Sequence, residues 1–293
     1  PNYDGFPLDL YLSPEPVLAV QFSRGCYYKD CAFCALTLDH QNFRQRDPGK
    51  TVDDLVWLKE RYGAQSFFFT DECFALSPTK RLCQQMIDRQ VNVKWTCELR
   101  FEKNLTRELL GQMRDAGCLK IVFGLESFNQ RVMDFMKKGI KQESVRRIVD
   151  DCVDLGIAVH CYVIVGFPTE KEEEALDTMN FVVGNKKLHE SYGFSCQPCL
   201  FDLEKEAPIM SDPGSYGIRR IMRPATEDLS LGFFYEVQEG MTPAQAEQLY
   251  QQVYEKISEV VCELPFNYSM ADGLLYIARA KSQALQVPQP TGS

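Results

Sequence analysis

The sequence lacks any hydrophobic run long enough to cross a membrane. Its longest apolar stretches, such as residues 159–167, are far below the roughly 20 residues that a membrane helix needs. The first residues, Pro1-Asn2-Tyr3, include no basic segment that leads into an apolar one, and this argues against a secretory signal. With 45% hydrophobic and 25% charged residues, the composition indicates a globular protein without a membrane span.

An excess of positive charge is also missing. The 32 Lys and Arg residues are outnumbered by 41 Asp and Glu residues, which gives a formal net charge of -9 and a pI of about 5.0. Since proteins bind phosphate backbones through clustered Lys and Arg, this balance argues against a nucleic-acid partner.

Three common catalytic motifs do not occur in the sequence. There is no GxxxxGK[ST] phosphate loop, no HExxH zinc motif and no GxSxG nucleophile motif. The sequence therefore gives no support to a nucleoside triphosphatase, a zinc protease or a serine hydrolase.

Cysteine, in contrast, is plentiful, with twelve residues. They are scattered through strand-like and helix-like segments, unlike the dense disulfide framework of a small secreted domain, so we expect reduced thiols and a cytoplasmic protein. Free cysteine is among the most buried residue types. We expect nine of the twelve to be small buried apolar residues, namely Cys73, Cys83, Cys97, Cys118, Cys152, Cys161, Cys196, Cys199 and Cys262.

Between residues 17 and 201, short β-branched or aromatic runs alternate with amphipathic stretches. This alternation is typical of successive βα units and a parallel sheet. The predicted strands cover residues 17–22, 66–70, 93–99, 119–124, 158–165 and 192–200. The predicted helices cover residues 52–62, 78–89, 107–116, 143–155 and 172–183. Six units are too few for a complete eight-stranded barrel, so we predict an α/β fold, a partial (β/α)6 TIM-like barrel.

The regions on either side of this barrel, 17–201, differ in character. Residues 1–16 resemble a linker, and because the chain does not begin with Met we expect it to be a piece of a longer polypeptide with a further domain upstream. Residues 202–293 begin with a Pro- and Gly-containing connection. Two helical patterns follow, at 243–261 and 268–285, so we predict a mainly helical C-terminal extension.

Three cysteines, Cys26, Cys31 and Cys34, lie within nine residues directly after the first predicted strand. Loops in this position of a βα barrel carry active sites. Thiolates bind iron–sulfur clusters and structural zinc, and a complete set usually has four ligands, so three thiols leave one metal position open. The same residues allow two other interpretations, a zinc site completed by a distant His or Cys and three core thiols.

This cysteine pattern resembles the radical S-adenosylmethionine (SAM) superfamily. In that family three cysteines follow the first strand, an aromatic residue precedes the last one, and the open iron of a [4Fe-4S] cluster binds SAM; here Phe33 is the aromatic. The first gap holds four residues instead of the usual three. The resemblance implies reductive cleavage of SAM to methionine and a 5′-deoxyadenosyl radical, with electrons from a donor such as flavodoxin or ferredoxin.

The resemblance covers roughly residues 1–215 and implies SAM contacts at the strand ends. Asp71 and Glu72 follow the second strand, where the family places groups against the SAM amine, although they could instead cap the loop that follows them. Glu98 and Arg100, near the end of the third strand, are candidates for the SAM carboxylate or the substrate. No catalytic side chain is identified.

Two further strand ends match elements of the family. Gly124, Glu126 and Ser127 resemble its element for the ribose and methionine of SAM, and they could alternatively only terminate a strand. Ile164 and Gly166 resemble the element that packs on adenine, where a glycine permits close backbone approach.

The leading hypothesis is therefore a radical SAM enzyme, acting as an oxidoreductase or transferase on an unknown peptide, lipid or small metabolite. The amino-acid sequence from Arg24 to Cys34 resembles that of the branch that often carries an upstream cobalamin-binding domain. Cobalamin-dependent C-methylation is therefore the preferred reaction. A methylthiotransferase is the alternative within the class. A noncatalytic scaffold that binds zinc or a structural cluster is the alternative outside the class. The two cysteines of Cys196-Gln197-Pro198-Cys199 could pack in the core, bind a second cluster or act as a redox dithiol.

Overall fold

A computed structural model of the chain describes residues 1–10, 15–36, 42–185, 194–223 and 232–260. The predicted helix at 268–285, the predicted core residue Cys262 and the start of the sixth predicted strand lie outside these ranges. Across these ranges no helix combines the length and the hydropathy that a membrane crossing requires.

Six parallel strands form the main sheet, and each of them overlaps a predicted strand. In chain order, the first eight strands are β1 (Val17–Val20), β2 (Ser23–Arg24), β3 (Arg44–Gln45), β4 (Ser66–Phe69), β5 (Lys94–Leu99), β6 (Cys118–Glu126), β7 (Ala158–Val165) and β8 (Phe194–Leu200). The main sheet has the order β1-β4-β5-β6-β7-β8, and β2 pairs with β3 in a separate hairpin. All five pairings of the main sheet are parallel, and β1 and β8 are its two end strands in the described ranges. This confirms the predicted open α/β arrangement.

Helices lie between the successive strands of the main sheet, and a last one lies in the C-terminal extension. They are α1 (Pro48–Tyr62), α2 (Leu76–Asp88), α3 (Arg107–Asp115), α4 (Gln130–Phe135), α5 (Gln142–Asp154), α6 (Glu172–Gly184) and α7 (Pro243–Val260). Side chains define several of their first turns: Asp47 caps α1 by accepting from the Lys50 amide, and Thr106 caps α3 by accepting from the Leu109 amide. The six-residue α4 was not predicted, because one and a half turns are too short to show a helical periodicity.

The main sheet has one apolar face and one polar face, because successive side chains of a strand point to opposite sides. Residues such as Phe67, Cys97 and Cys161 belong to the main apolar core with the helices. The alternate positions of the central strands include Lys120 and His160, which are also buried. The polar face is the inner wall of the barrel, below the strand ends where the candidate site lies.

The predicted burial of cysteines holds for most positions. Cys73, Cys83, Cys97, Cys118, Cys152 and Cys161 are buried. Cys196 is only partly buried, and Cys199 is exposed, so the prediction for Cys199 is wrong. The reason is the position of β8, whose inner face is open to solvent at one end of the sheet.

The C-terminal extension begins with strands that the sequence pattern did not predict. β9 (Leu203–Glu204), β10 (Ile218–Met222) and β11 (Gly232–Val237) form an antiparallel sheet in the order β10-β11-β9. They are short and interrupted by turns, so their alternation was hidden in the Pro- and Gly-containing connection. The first predicted helix of the extension is present as α7, and it packs on α6 and β8.

Gly117, between α3 and β6, allows the chain to pass close to a neighbouring strand end. Its φ is +96°, and a Cβ atom there would lie 1.9 Å from the Val93 carbonyl oxygen. We expect Gly117→Ala to lower the free energy of unfolding by more than about 1 kcal/mol, because both the backbone angle and the contact oppose a side chain.

The matched control for this substitution is Gly111→Ala. Gly111 lies inside α3, and a Cβ atom there would meet nothing within 4 Å. Because alanine is the better helix former, Gly111→Ala should raise the stability by up to about 1 kcal/mol. Urea denaturation of both variants provides the measurement, and equal stability changes would contradict this account of Gly117.

Candidate functional site

The three loop cysteines lie directly beyond the carboxyl end of β1. The loop turns at Gly25 (φ 81°) and Lys29 (φ 63°), both in the left-handed region. Cys31 is 8% exposed, whereas Cys26 and Cys34 are partly buried. The amide of Cys34 donates to the carbonyl of Cys31 at 3.3 Å. The local backbone thus keeps the three cysteines on one loop at the strand-end face. Burial raises the pKa of Cys34, and the thiols of Cys26 and Cys31 lie close enough to raise it further.

Asp71 and Glu72, predicted as SAM contacts, bind the chain at and just before the start of this loop. Asp71 is 1% exposed, and its carboxylate accepts from the amides of Phe22 and Ser23 and from the Ser23 hydroxyl, the last at 2.6 Å. Glu72 accepts from the Gly25 amide at 2.9 Å. Burial raises the pKa of Asp71 to about 6, although the hydrogen bonds oppose the shift. These contacts tie both residues to the chain that leads into the cysteine loop, a role that the sequence did not suggest, since the alternative there was a cap of the loop that follows them. A SAM contact remains a prediction.

The middle of the loop is held from two sides. The amide of Ala32 donates to the carbonyl of Met136 at 2.9 Å, and its carbonyl accepts from the amide of Ile209 at 2.8 Å. Ala32 also belongs to a second apolar cluster that includes Phe167 and Tyr216. The C-terminal extension therefore contributes directly to the position of the cysteines.

Arg100, predicted to meet SAM or substrate, points into the same loop. Its Nη1 donates to the Sγ of Cys31 at 3.6 Å, and its Nη2 donates to the carbonyl of Lys138. Its Cζ lies 3.5 Å from the centre of the Tyr28 ring. Arg100 is thus a neighbour of a candidate cluster ligand.

Glu126 forms a buried ion pair that the sequence did not reveal. The Lys138 Nζ lies 2.8 Å from its Oε1, with only 7% and 9% of the two side chains exposed. Glu126 has a φ of 63° at a register shift of β6. At Gly124 a Cβ atom would lie 2.5 Å from the same oxygen and 2.8 Å from the Nζ. Gly124 therefore leaves the space that the ion pair occupies.

Phe33 and Ser127 have different surroundings. The Phe33 ring lies 5.5 Å from the Lys138 Nζ, which joins the ion pair to the cysteine loop. Ser127 is fully buried, where its hydroxyl lies 3.2 Å from that of Thr178 and accepts from the Asn129 amide. Ser127 is thus bonded at the start of α4, away from these loop contacts, and its role toward SAM remains a prediction.

The end of β7 places Ile164 at the second apolar cluster and Gly166 at a tight turn. Gly166 has a φ of 85°, and a Cβ atom there would lie 2.4 Å from the Cβ of Ala246 in α7. Its amide donates to the Oε2 of Glu170 at 2.7 Å. The glycine therefore permits the close approach of α7, and a contact with adenine remains a prediction.

Glu98 and His160 lie on the inner wall of the barrel. Burial raises the pKa of Glu98 to about 7, against an opposing effect of Lys120. The Nδ1 of His160 is 2.8 Å from the Ser195 hydroxyl, and burial lowers the pKa of this histidine to about 3. His160 is therefore a neutral wall residue, and Glu98 is a carboxyl group able to hold or release a proton near neutral pH.

Two residues next to the cysteines were missed as site residues. The Cys73 thiol makes a side-chain hydrogen bond with Cys26, which lowers the pKa of Cys26 to about 6. Lys138 lies beside Glu126 and Phe33. The alternation of strands and helices carries no signal for either residue, because their burial depends on segments distant in sequence.

The Cys196 and Cys199 pair does not form a common site. Residues three apart on a strand point to opposite faces, and Cys196 packs against the main core while Cys199 is exposed on the other face of β8. The hypotheses of a redox dithiol and of a second cluster that uses both thiols are therefore wrong.

Glu170, just beyond β7, gives the stability a dependence on pH. Burial raises the pKa of its carboxyl group from 4.5 to about 8. Between these values the unfolded chain has lost the proton and the folded chain keeps it, so wild-type stability falls as pH rises. We expect the stability of Glu170→Gln relative to wild type to increase by roughly 1 kcal/mol per pH unit between pH 5 and 8.

Urea titrations at several pH values test this expectation. Glutamine keeps the acceptor for the Gly166 amide and does not ionise, so the comparison isolates the proton. A stability difference that is constant with pH would show that Glu170 is ionised in the folded protein.

An open parallel barrel with three thiols on the loop after its first strand has the architecture of an enzyme that binds its cofactor at the strand ends. Residues 20–182 match the Radical SAM superfamily, and the chain belongs to this superfamily. Membership confirms the predicted enzyme class and its cofactors, a [4Fe-4S] cluster and SAM. It does not favour the noncatalytic scaffold.

Several curated proteins are similar in sequence. An uncharacterized methyltransferase of Pyrococcus horikoshii is 29% identical over 196 residues, which cover 66% of this chain and 42% of that protein. The anaerobic magnesium-protoporphyrin IX monomethyl ester cyclase of Rubrivivax gelatinosus is 30% identical over 173 residues, or 58% of this chain and 31% of that protein. The cytidylyl-2-hydroxyethylphosphonate methyltransferase of Streptomyces wedmorensis is 28% identical over 172 residues, or 56% of this chain and 32% of that protein. The matched region thus spans less than half the length of each of these relatives.

Solved structures show the same fold. The radical SAM methyltransferase TsrM of Kitasatospora setae, with cobalamin and a [4Fe-4S] cluster bound, superposes with a TM-score of 0.64 at 16% identity, covering 92% of this chain and 61% of that one. The cobalamin-dependent SAM radical enzyme OxsB, with aqua-cobalamin and SAM bound, gives a TM-score of 0.62 at 16% identity, covering 80% of this chain and 40% of that one. These likenesses confirm the predicted fold class.

Proposed function

We propose that this chain is the catalytic domain of a radical SAM methyltransferase. The observation that carries the proposal is the loop of Cys26, Cys31 and Cys34, which lies at the strand-end face and is held by hydrogen bonds from three directions. Three thiols provide a donor set for three irons of a [4Fe-4S] cluster and leave the fourth open. The donor set therefore fits the cofactor of the family.

Different residues of the chain would bind the cluster, position its loop and hold a proton for the substrate. Cys26, Cys31 and Cys34 would hold the cluster, while Asp71 and Glu72 keep the loop in place. When bound, the cluster and SAM supply the one-electron chemistry that generates a 5′-deoxyadenosyl radical, and the protein supplies binding and orientation. Glu98, on the inner wall, is a proton-holding group for a substrate that enters the barrel.

Methylation with the help of cobalamin is the reaction we propose within this class. Two of the three relatives described above are named methyltransferases, and both solved structures described above have cobalamin bound. The relatives are more than twice as long as the region they share with this chain. We propose that cobalamin binds to a domain upstream of residue 17, and that the substrate is a peptide, a lipid or a small metabolite.

Product analysis after anaerobic reconstitution with iron and sulfide tests the proposal. Dithionite would replace the natural electron donor, for which we propose flavodoxin or ferredoxin. We expect about four irons per chain and the release of 5′-deoxyadenosine and methionine from SAM. Added methylcobalamin, with candidate substrates, should yield a methylated product in the full-length protein. A complete cluster that cleaves no SAM would contradict the proposal.

A further inference from the structure

The Arg100 side chain is buried, and its guanidinium group already has protein contacts on several sides. It is 6% exposed, and its Nη1 donates to the Cys31 Sγ at 3.6 Å. Nη2 donates to the Lys138 carbonyl, and the guanidinium stacks on Tyr28 at 3.5 Å. Its Nε lies 3.5 Å from Glu102. These contacts give both terminal nitrogens a hydrogen-bond acceptor and cover one face of the planar group, while the buried Nε has an ion-pair contact but no hydrogen bond to any described residue. One terminal nitrogen is directed at a cysteine sulfur.

The charge of Arg100 is permanent, because a guanidinium does not lose its proton in proteins. Charges interact more strongly in a buried site than in water. Glu102 offsets this charge only partly, since 25% of its side chain is exposed against 7% for Arg100. The other buried cation near the loop, Lys138, is paired with Glu126. Within the described ranges, Arg100 is therefore the cation with a hydrogen bond to a loop thiol.

We propose that Arg100 is a positioning residue that holds Cys31 and raises the reduction potential of the cluster. The proposal rests on the proposed function, in which Cys31 binds this cluster. Reduction adds one electron to the cluster and moves no proton to or from Arg100. The added negative charge lies beside the guanidinium, so Arg100 stabilises the reduced state more than the oxidised state. Hydrogen bonds to the ligand sulfurs and net charge are known to set such potentials.

The variants Arg100→Gln and Arg100→Lys separate charge from shape. Glutamine removes the charge and keeps a donor, whereas lysine keeps the charge and loses the planar fork. In the reconstituted protein we expect Arg100→Gln to lower the ratio of reduced to oxidised cluster about tenfold at a fixed potential, which corresponds to about 59 mV for one electron. For Arg100→Lys the ratio should change less than about threefold, a shift of under about 30 mV.

Arg147→Gln is the matched control. Arg147 likewise donates to the backbone, at the carbonyls of Leu105 and Lys103, and its remaining hydrogen bond within the described part of the chain goes to Asp151, away from the cysteine loop. Its replacement should leave the cluster potential unchanged. A redox titration followed by electron paramagnetic resonance, with iron analysis of each sample, measures all four proteins.

Each result decides the proposal. A full cluster whose potential is lowered in Arg100→Gln and nearly unchanged in Arg100→Lys supports it, and so does loss of the cluster in Arg100→Gln with retention in Arg100→Lys. An unchanged potential in Arg100→Gln overturns it, as does equal behaviour of the glutamine and lysine variants. Absence of a cluster from the wild type would instead contradict the proposed function, so the two failures are distinguishable.

Discussion

A triple variant in which Cys26, Cys31 and Cys34 are replaced by alanine is expected to bind no cluster and to form no 5′-deoxyadenosine from SAM. The three thiols are the complete donor set of the loop, and without them iron and sulfide have no protein ligands there. Iron analysis, the visible absorption of the cluster and chromatography of the SAM products measure the loss. We expect complete loss of both cluster binding and SAM cleavage, because a protein that binds no cluster has no cofactor with which to cleave SAM.

Cys199→Ala is the control for this experiment. Cys199 is a cysteine of the same barrel, but it is exposed on β8 and is not one of the loop thiols. Cys199→Ala should keep the wild-type iron content. It should also cleave SAM as the wild type does in an assay to which no substrate is added. If the triple variant retained the cluster absorption, the assignment of the loop cysteines would be wrong.

Lys138→Met is expected to produce the second large effect, a loss of about 3–5 kcal/mol of unfolding free energy. Loss of the Lys138 ammonium group leaves Glu126 as an uncompensated charge, in a site where both side chains are less than one-tenth exposed. The double variant Glu126→Gln/Lys138→Met removes both charges and should recover much of the loss. Urea denaturation of the single and double variants measures the coupling between the two residues.

Lys141→Met is the matched surface control. Lys141 forms an ion pair of 3.0 Å with Asp134, but the two side chains are 59% and 52% exposed. Exposed pairs contribute about 0–1 kcal/mol, so this variant should be nearly as stable as the wild type. Equal losses of unfolding free energy for Lys138→Met and Lys141→Met would show that the buried ion pair stabilises the fold no more than the exposed one.

The strands and helices of the barrel could be predicted closely. The boundaries predicted at 158–165 coincide with β7 (Ala158–Val165), and the other five predicted strands overlap observed ones. Local patterning carries this information, since each element buries one face of its own sequence. The two-residue strand β9 (Leu203–Glu204) and the short α4 (Gln130–Phe135) escaped prediction because they are too short to show a period.

The candidate site was predicted unevenly. The loop cysteines needed only sequence spacing, because all three lie within nine residues. The surroundings of Asp71 and Arg100 could not be predicted in the same way. Both were placed correctly at strand ends, but their side chains bind the cysteine loop, some 50 to 70 residues away in sequence.

The sequence by itself determined the order of the βα units, the position of the cysteine loop after the first strand and the resemblance to the radical SAM superfamily. These features depend on hydrophobic periodicity and on residues that are close in the chain. Only the tertiary structure decided that Arg100 contacts Cys31, that Glu126 pairs with Lys138, and that Cys196 and Cys199 lie on opposite faces. The reason is physical: hydrogen bonds and ion pairs act over a few ångströms, and the fold alone brings distant parts of the chain within that range.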